Sequence, residues 1–170
     1  VKVLYPPDYA SNAQPVLQAT IDALQYFSDT LGPYPYKTVT AVIPPYRADE
    51  AGGMEYPPSF TASSTDEDQP GTIGRFGLDF VTIHEFGHGY FYGILGSNEF
   101  EEPALDEGMN EYWDQRMMTA RKQDIVLSTP WLKPYGIGTR ITPFQMERLG
   151  ANLDDPADPL GGNSWARLSS

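Results

Sequence analysis

Between Leu78 and Leu95 apolar residues fall on nearly every side of a helix: Leu78, Phe80, Val81, Ile83, Phe86, Phe91, Ile94 and Leu95. A helix that is apolar all round belongs inside a fold, with other elements packed over it. Its centre nevertheless carries His84-Glu85-Phe86-Gly87-His88, three ionisable side chains within one and a half turns. Burying such groups without partners is costly, and a metal would satisfy them. Gly87 and Gly89 each cost the helix about 1 kcal/mol relative to alanine. Close approach of a neighbouring element is the expected reason for both.

Residues four apart on a helix sit one turn apart on the same face. His84 and His88, the two histidines of the chain, can therefore converge on one zinc ion at about 2.0–2.1 Å, leaving room for a third ligand and a water. Glu85 points about 100° away from His84, so it flanks the metal and can reach the water instead. The third ligand is expected at Glu107, in Leu105-Asp106-Glu107-Gly108-Met109-Asn110-Glu111-Tyr112-Trp113. Eighteen residues separate it from His88, enough for the first helix to end and a second, from about Asp106 to Lys122, to start alongside. Glu111, one turn further on, is placed to accept a hydrogen bond from a ligating imidazole. Asp106, Glu99, Glu101 and Glu102 are expected at the surface or in caps, since one carboxylate completes the site.

The remaining pattern predicts an α+β chain. Residues 15–31 have the spacing of an amphipathic helix, with Leu17, Ile21, Leu24 and Leu31 on one stripe and Gly32-Pro33 as the stop. Thr38 to Ile43 is β-branched and apolar and predicts a strand. A loop through Gly52-Gly53 leads to Met54-Glu55-Tyr56 and Pro57-Pro58, and residues 63–75 have the composition of an exposed loop. Met54, Met109, Met117 and Met118 are expected in the core. Residues 1–122 form the expected core unit. Residues 123–170, rich in Pro and Gly and carrying Asp154-Asp155-Pro156-Ala157-Asp158, are expected to continue the same domain in mostly irregular form.

At 170 residues the chain has the length of one domain. A net charge of −12, with eleven Lys and Arg, argues against nucleic acid, because a phosphate backbone demands a basic face. Without cysteine there are no disulfides, thiolate metal sites or cysteine nucleophiles. No apolar run is long enough to predict a membrane span.

HEFGH at 84–88, eighteen intervening residues and LDEGMNEY at 105–112 together resemble the gluzincin aminopeptidases, the family of aminopeptidase N and the leukotriene-hydrolase enzymes. Gly52-Gly53-Met54-Glu55-Tyr56 is similar to that family's GxMEN exopeptidase motif, with Tyr56 standing where the family usually has Asn. The resemblance covers roughly residues 20–120. It implies a thermolysin-like catalytic domain, a small mixed sheet packed on helices that bear one zinc ion. His84, His88 and Glu107 would be the ligands and Glu85 the general base. Glu55 would bind the free α-amino group of a peptide substrate, and Gly52, Gly53 and Met54 would present backbone to it. The family's oxyanion-stabilising tyrosine lies further downstream than Tyr135, so the chain is expected to be a truncated piece of an enzyme with other domains.

Three rival readings follow from the same residues. A thermolysin-like endopeptidase would share the zinc chemistry but have no need of an amine-binding glutamate. A non-catalytic zinc-bound interaction domain would have no need of Glu85. A hydrolase of a non-peptide substrate such as an epoxide would keep the same metal centre.

Overall fold

A computed structural model describes residues 1–45, 48, 51–96, 98, 104–122, 124–127, 138–142 and 145. Among these the chain is α+β. A four-stranded mixed sheet contains β1 (Lys2–Leu4), β2 (Thr40–Val42), β3 (Met54–Tyr56) and β4 (Ser59–Thr61) in the order β1-β2-β4-β3. Strands β1, β2 and β4 run parallel, and β3 pairs antiparallel with β4 through a hairpin at the cis Pro57-Pro58 bond. The register sets Glu55 opposite Phe60. Phe60 is buried, whereas Met54 and Tyr56 on either side of Glu55 are exposed, so β3 is an open edge of the sheet.

Three helices accompany the sheet: α1 (Ala13–Thr30), α2 (Ile73–Phe91) and α3 (Met109–Ala120), the last preceded by a π-helical turn at Ala104–Gly108. Helix α1 buries Val16, Ala19, Thr20, Ala23 and Phe27, while Ile21 and Leu31 are exposed. The buried stripe is thus offset from the Leu17–Ile21–Leu24–Leu31 stripe expected from spacing. The reason is steric: Ala19, Thr20 and Ala23 let α1 approach its neighbours, and Phe27 fills the space left over. Its ring stacks on Phe86 of α2 at 6.0 Å, and Tyr34 covers the other side of Phe86 at 5.0 Å.

Helix α2 starts five residues earlier than the apolar pattern predicts, inside the expected 63–75 loop. Thr72 is the reason, since its Oγ1 accepts from the Arg75 N–H at 3.1 Å and caps the first turn. The helix ends at Phe91, four residues short of the expected Leu95, and Ile94 and Leu95 are exposed in the turn that follows. Gly96, at φ +52°, supplies the left-handed residue that suits a chain leaving a helix. From Leu78 to Phe91 the expected burial holds for Leu78, Ile83, Phe86 and Phe91. Gly87 and Gly89, both inside α2, lie at close approaches. A Cβ on Gly87 would collide with Asn110 Oδ1 of α3, and one on Gly89 would lie 3.0 Å from the Tyr34 ring.

Met117 and Met118 are in the core, whereas Met54 and Met109 are exposed, contrary to expectation. Met54 alternates outward on an edge strand, and Met109 opens α3 on its solvent side. Within the segment expected to be mostly irregular, β5 (Ile125–Leu127) and β6 (Thr139–Ile141) pair antiparallel. Glu99, Glu101, Glu102, Tyr135 and the 154–158 acidic stretch lie outside the described residues. Among the described residues no helix is long and apolar enough to cross a membrane.

Candidate metal centre

Helix α2 places His84 and His88 on the face it turns to the π-helical turn and to α3. The structure brings their Nε2 atoms to 3.2 Å of each other, and Glu107 Oε2 lies 3.1 Å from His84 Nε2 and 3.8 Å from His88 Nε2. Ligand atoms arranged tetrahedrally about 2.0–2.1 Å from a metal are about 3.4 Å apart. The edges of this triangle bracket that spacing, so the three side chains can hold one small cation without moving far.

The opposite ring nitrogens define the charge state. His84 Nδ1 lies 2.8 Å from Asp114 Oδ2, and His88 Nδ1 lies 2.6 Å from Asp106 Oδ1. A carboxylate there fixes Nδ1–H as the donor and leaves a lone pair on each Nε2. Two lone pairs and a carboxylate oxygen within 3.1–3.8 Å repel unless a cation or proton sits among them. The partners of both rings shift them toward the protonated form. Burial disfavours the charge on each, but hydrogen bonds to Asp114 and Glu107 outweigh it for His84 and raise its pKa well above the usual value. His88 is raised likewise through Asp106, again against burial. Glu107 is held below the ordinary carboxylate range, because the His84 hydrogen bond and the two rings outweigh its burial.

Glu85 belongs to the site but not to the triangle. It is buried, its Oε2 has no hydrogen-bond partner among the described residues, and burial pushes its pKa up to about 7 against the pull of the two imidazoles. Gly53 passes beside it, so that a Cβ there would lie 3.4 Å from Glu85 Oε1. Gly53 has φ +67°, a conformation that favours glycine, so the backbone selects this residue. Its N–H is directed into the sheet, donating to the Thr61 carbonyl at 3.1 Å. The backbone that Gly52-Gly53 was expected to offer a substrate is therefore reduced at Gly53 by one donor. Gly52 is half-buried and Met54 exposed.

Glu55 is half-buried on β3, and its carboxylate comes within 4.8 Å of a His88 nitrogen and an Asp106 oxygen. It thus lies beside His88 and the carboxylate that holds it.

Two expectations change. Asp106, expected at the surface or in a cap, is fully buried and holds His88. Glu111, expected to orient an imidazole, is fully buried but 3.7 Å from His84 Nδ1, while Asp114 makes the 2.8 Å hydrogen bond. Residues 107, 111 and 114 fall on one face of a continuous helical run, and the nitrogen faces the turn that carries Asp114. That i, i+4, i+7 spacing was visible in the sequence and would have nominated both acids. Six carboxyl groups (Glu55, Glu85, Asp106, Glu107, Glu111 and Asp114) thus gather around two imidazoles, an acidic cluster whose charge a divalent cation would offset.

No family model matches this chain, and no curated protein matches its sequence.

Proposed function

We propose that this chain carries the zinc centre of a metallopeptidase with a thermolysin-like catalytic fold, and that it hydrolyses peptides from a free amino terminus. The observation that carries the reading is the convergence of His84 Nε2, His88 Nε2 and Glu107 Oε2 with Glu85 beside them but outside the triangle. A carboxylate that helps to bind metal cannot also serve freely as a base, and here the two tasks fall to different residues. The donor set, two imidazoles and one carboxylate with a position left over, suits a zinc ion doing catalysis.

A zinc ion held there would polarise the scissile carbonyl and acidify the attacking water. Glu85 takes that water's proton on a carboxylate oxygen and passes it to the leaving amine. Asp106 and Asp114 keep each imidazole in the tautomer that ligates. Glu55, on the open edge strand, accepts the substrate ammonium in a charge-assisted hydrogen bond while the peptide extends along the edge. The motif resemblance to the gluzincin aminopeptidases and the position of Glu55 near His88 support an amino-terminal preference over internal cleavage.

The test is hydrolysis of an aminoacyl amide and its N-acetyl counterpart, each with and without a chelator. Chelator-sensitive cleavage of the free-amine substrate, with little of the acetylated one, is expected. Equal cleavage of both would make the chain an endopeptidase.

A further inference from the structure

We propose that Asn110 is the positioning residue that sets the separation of α2 and α3 at the metal centre, and that Gly87 is the socket that admits it. This inference rests on the metal reading above. Asn110 is fully buried at the start of α3, one turn beyond Glu107. Its Nδ2 donates to the backbone carbonyl of His84 at 2.8 Å. Its Oδ1 lies against Gly87, where any Cβ would collide with it. One side chain therefore touches α2 at a ligand's own backbone and at the residue just before the second ligand.

Chemistry settles which end of the amide faces which group. The atom 2.8 Å from a carbonyl oxygen must be the N–H donor, since an amide oxygen there would face another oxygen. That leaves Oδ1 buried with no hydrogen-bond partner among the described residues. An unsatisfied buried carbonyl is unfavourable, and a leucine has the same branched shape without it. Packing alone therefore does not account for an asparagine. The donor to His84 does, because it pins α3 to α2 at one height and one distance. Glu107 rides on the same helical run, so this pin holds Oε2 at 3.1 and 3.8 Å from the two Nε2 atoms. Without it the helices can separate or slide by a fraction of an ångström, and the triangle loses its fit to a small ion.

The experiment is zinc affinity by chelator competition, with the absorption spectrum of the cobalt-loaded protein as a report on ligand geometry. The variants are Asn110→Asp, which keeps the volume, and Asn110→Leu, which keeps the branched shape; at neutral pH and above neither can donate to a carbonyl. Zinc affinity is expected to fall about tenfold, as for other residues that orient ligands, and the cobalt spectrum to change shape. Gly87→Ala alone should lower the metal-free melting temperature and the affinity together. The double variant Gly87→Ala/Asn110→Ala should regain the melting temperature but not the affinity, which gives a folded background whatever becomes of the single variants. Wild-type affinity and an unchanged cobalt spectrum in Asn110→Asp, Asn110→Leu or the double variant would overturn the proposal. Wild-type protein that binds neither metal would instead overturn the metal reading on which it rests.

Discussion

The metal triangle and the edge strand β3 are neighbours held in very different ways. Every ring nitrogen of His84 and His88 has a polar partner, supplied by Asp106, Glu107, Asp114 or the other ring. Phe86, between the two histidines, is clamped by Phe27 and Tyr34. Strand β3, by contrast, is three residues long, pairs on one side only among the described residues and exposes Met54 and Tyr56. Side-chain contacts are densest where the proposed ligand atoms would have to keep a spacing good to a few tenths of an ångström. Latitude remains where an extended substrate would lie. Damage to the helix pair should therefore abolish metal and turnover together, whereas damage to β3 should alter substrate choice and leave the metal in place.

The most drastic break in that contrast is His88→Ala, which removes one corner of the triangle. Bound zinc, measured by elemental analysis, should fall from one ion per chain to a small fraction, and chelator-sensitive hydrolysis should vanish. Glu85→Gln separates the two functions within the densely contacted region. It should keep its zinc while turnover drops about 10²–10⁴-fold, the usual worth of general acid–base catalysis. Near wild-type turnover in that variant would assign the base elsewhere.

Glu55→Ala probes the looser region. Zinc content should be unchanged, and kcat/KM for free-amine substrates should fall by about 2–3 kcal/mol relative to acetylated ones, as for loss of a charge-assisted hydrogen bond. A loss of zinc in this variant would show that β3 is part of the metal scaffold after all. Asp114→Asn and Asp106→Asn should have the smallest effect, lowering zinc affinity about 10–100-fold each while the triangle itself survives. Equal affinity to wild type in both would mean that α2 alone orients the rings.

Much of the densely contacted region was legible in the chain itself, because helical period and ligand spacing are local properties. The all-round apolar pattern around HEFGH anticipated a buried α2, and the eighteen-residue gap anticipated a second helix bearing Glu107 beside it. The partners of Nδ1 were less legible, since two acids, Glu111 and Asp114, share a helix face and only tertiary geometry chooses between them. Asp106 was expected at the surface or in a cap for a different reason: its neighbour Glu107 already satisfied the ligand count. The sheet was the hardest part. Strands β1, β3 and β4 have three residues each, too short to display an alternation, and β1 and β4 pair with β2, far from either in sequence. In α1 the stripe of large residues suggested a face that the small ones, Ala19, Thr20 and Ala23, in fact provide.

The most direct test of the central claim is a crystal of the protein with diffraction collected on either side of the zinc absorption edge. The account predicts a single anomalous peak about 2.0–2.2 Å from His84 Nε2, His88 Nε2 and a Glu107 carboxylate oxygen, with Glu85 outside bonding distance. A zinc-soaked crystal with no peak there, or with Glu85 among the ligands, would contradict it.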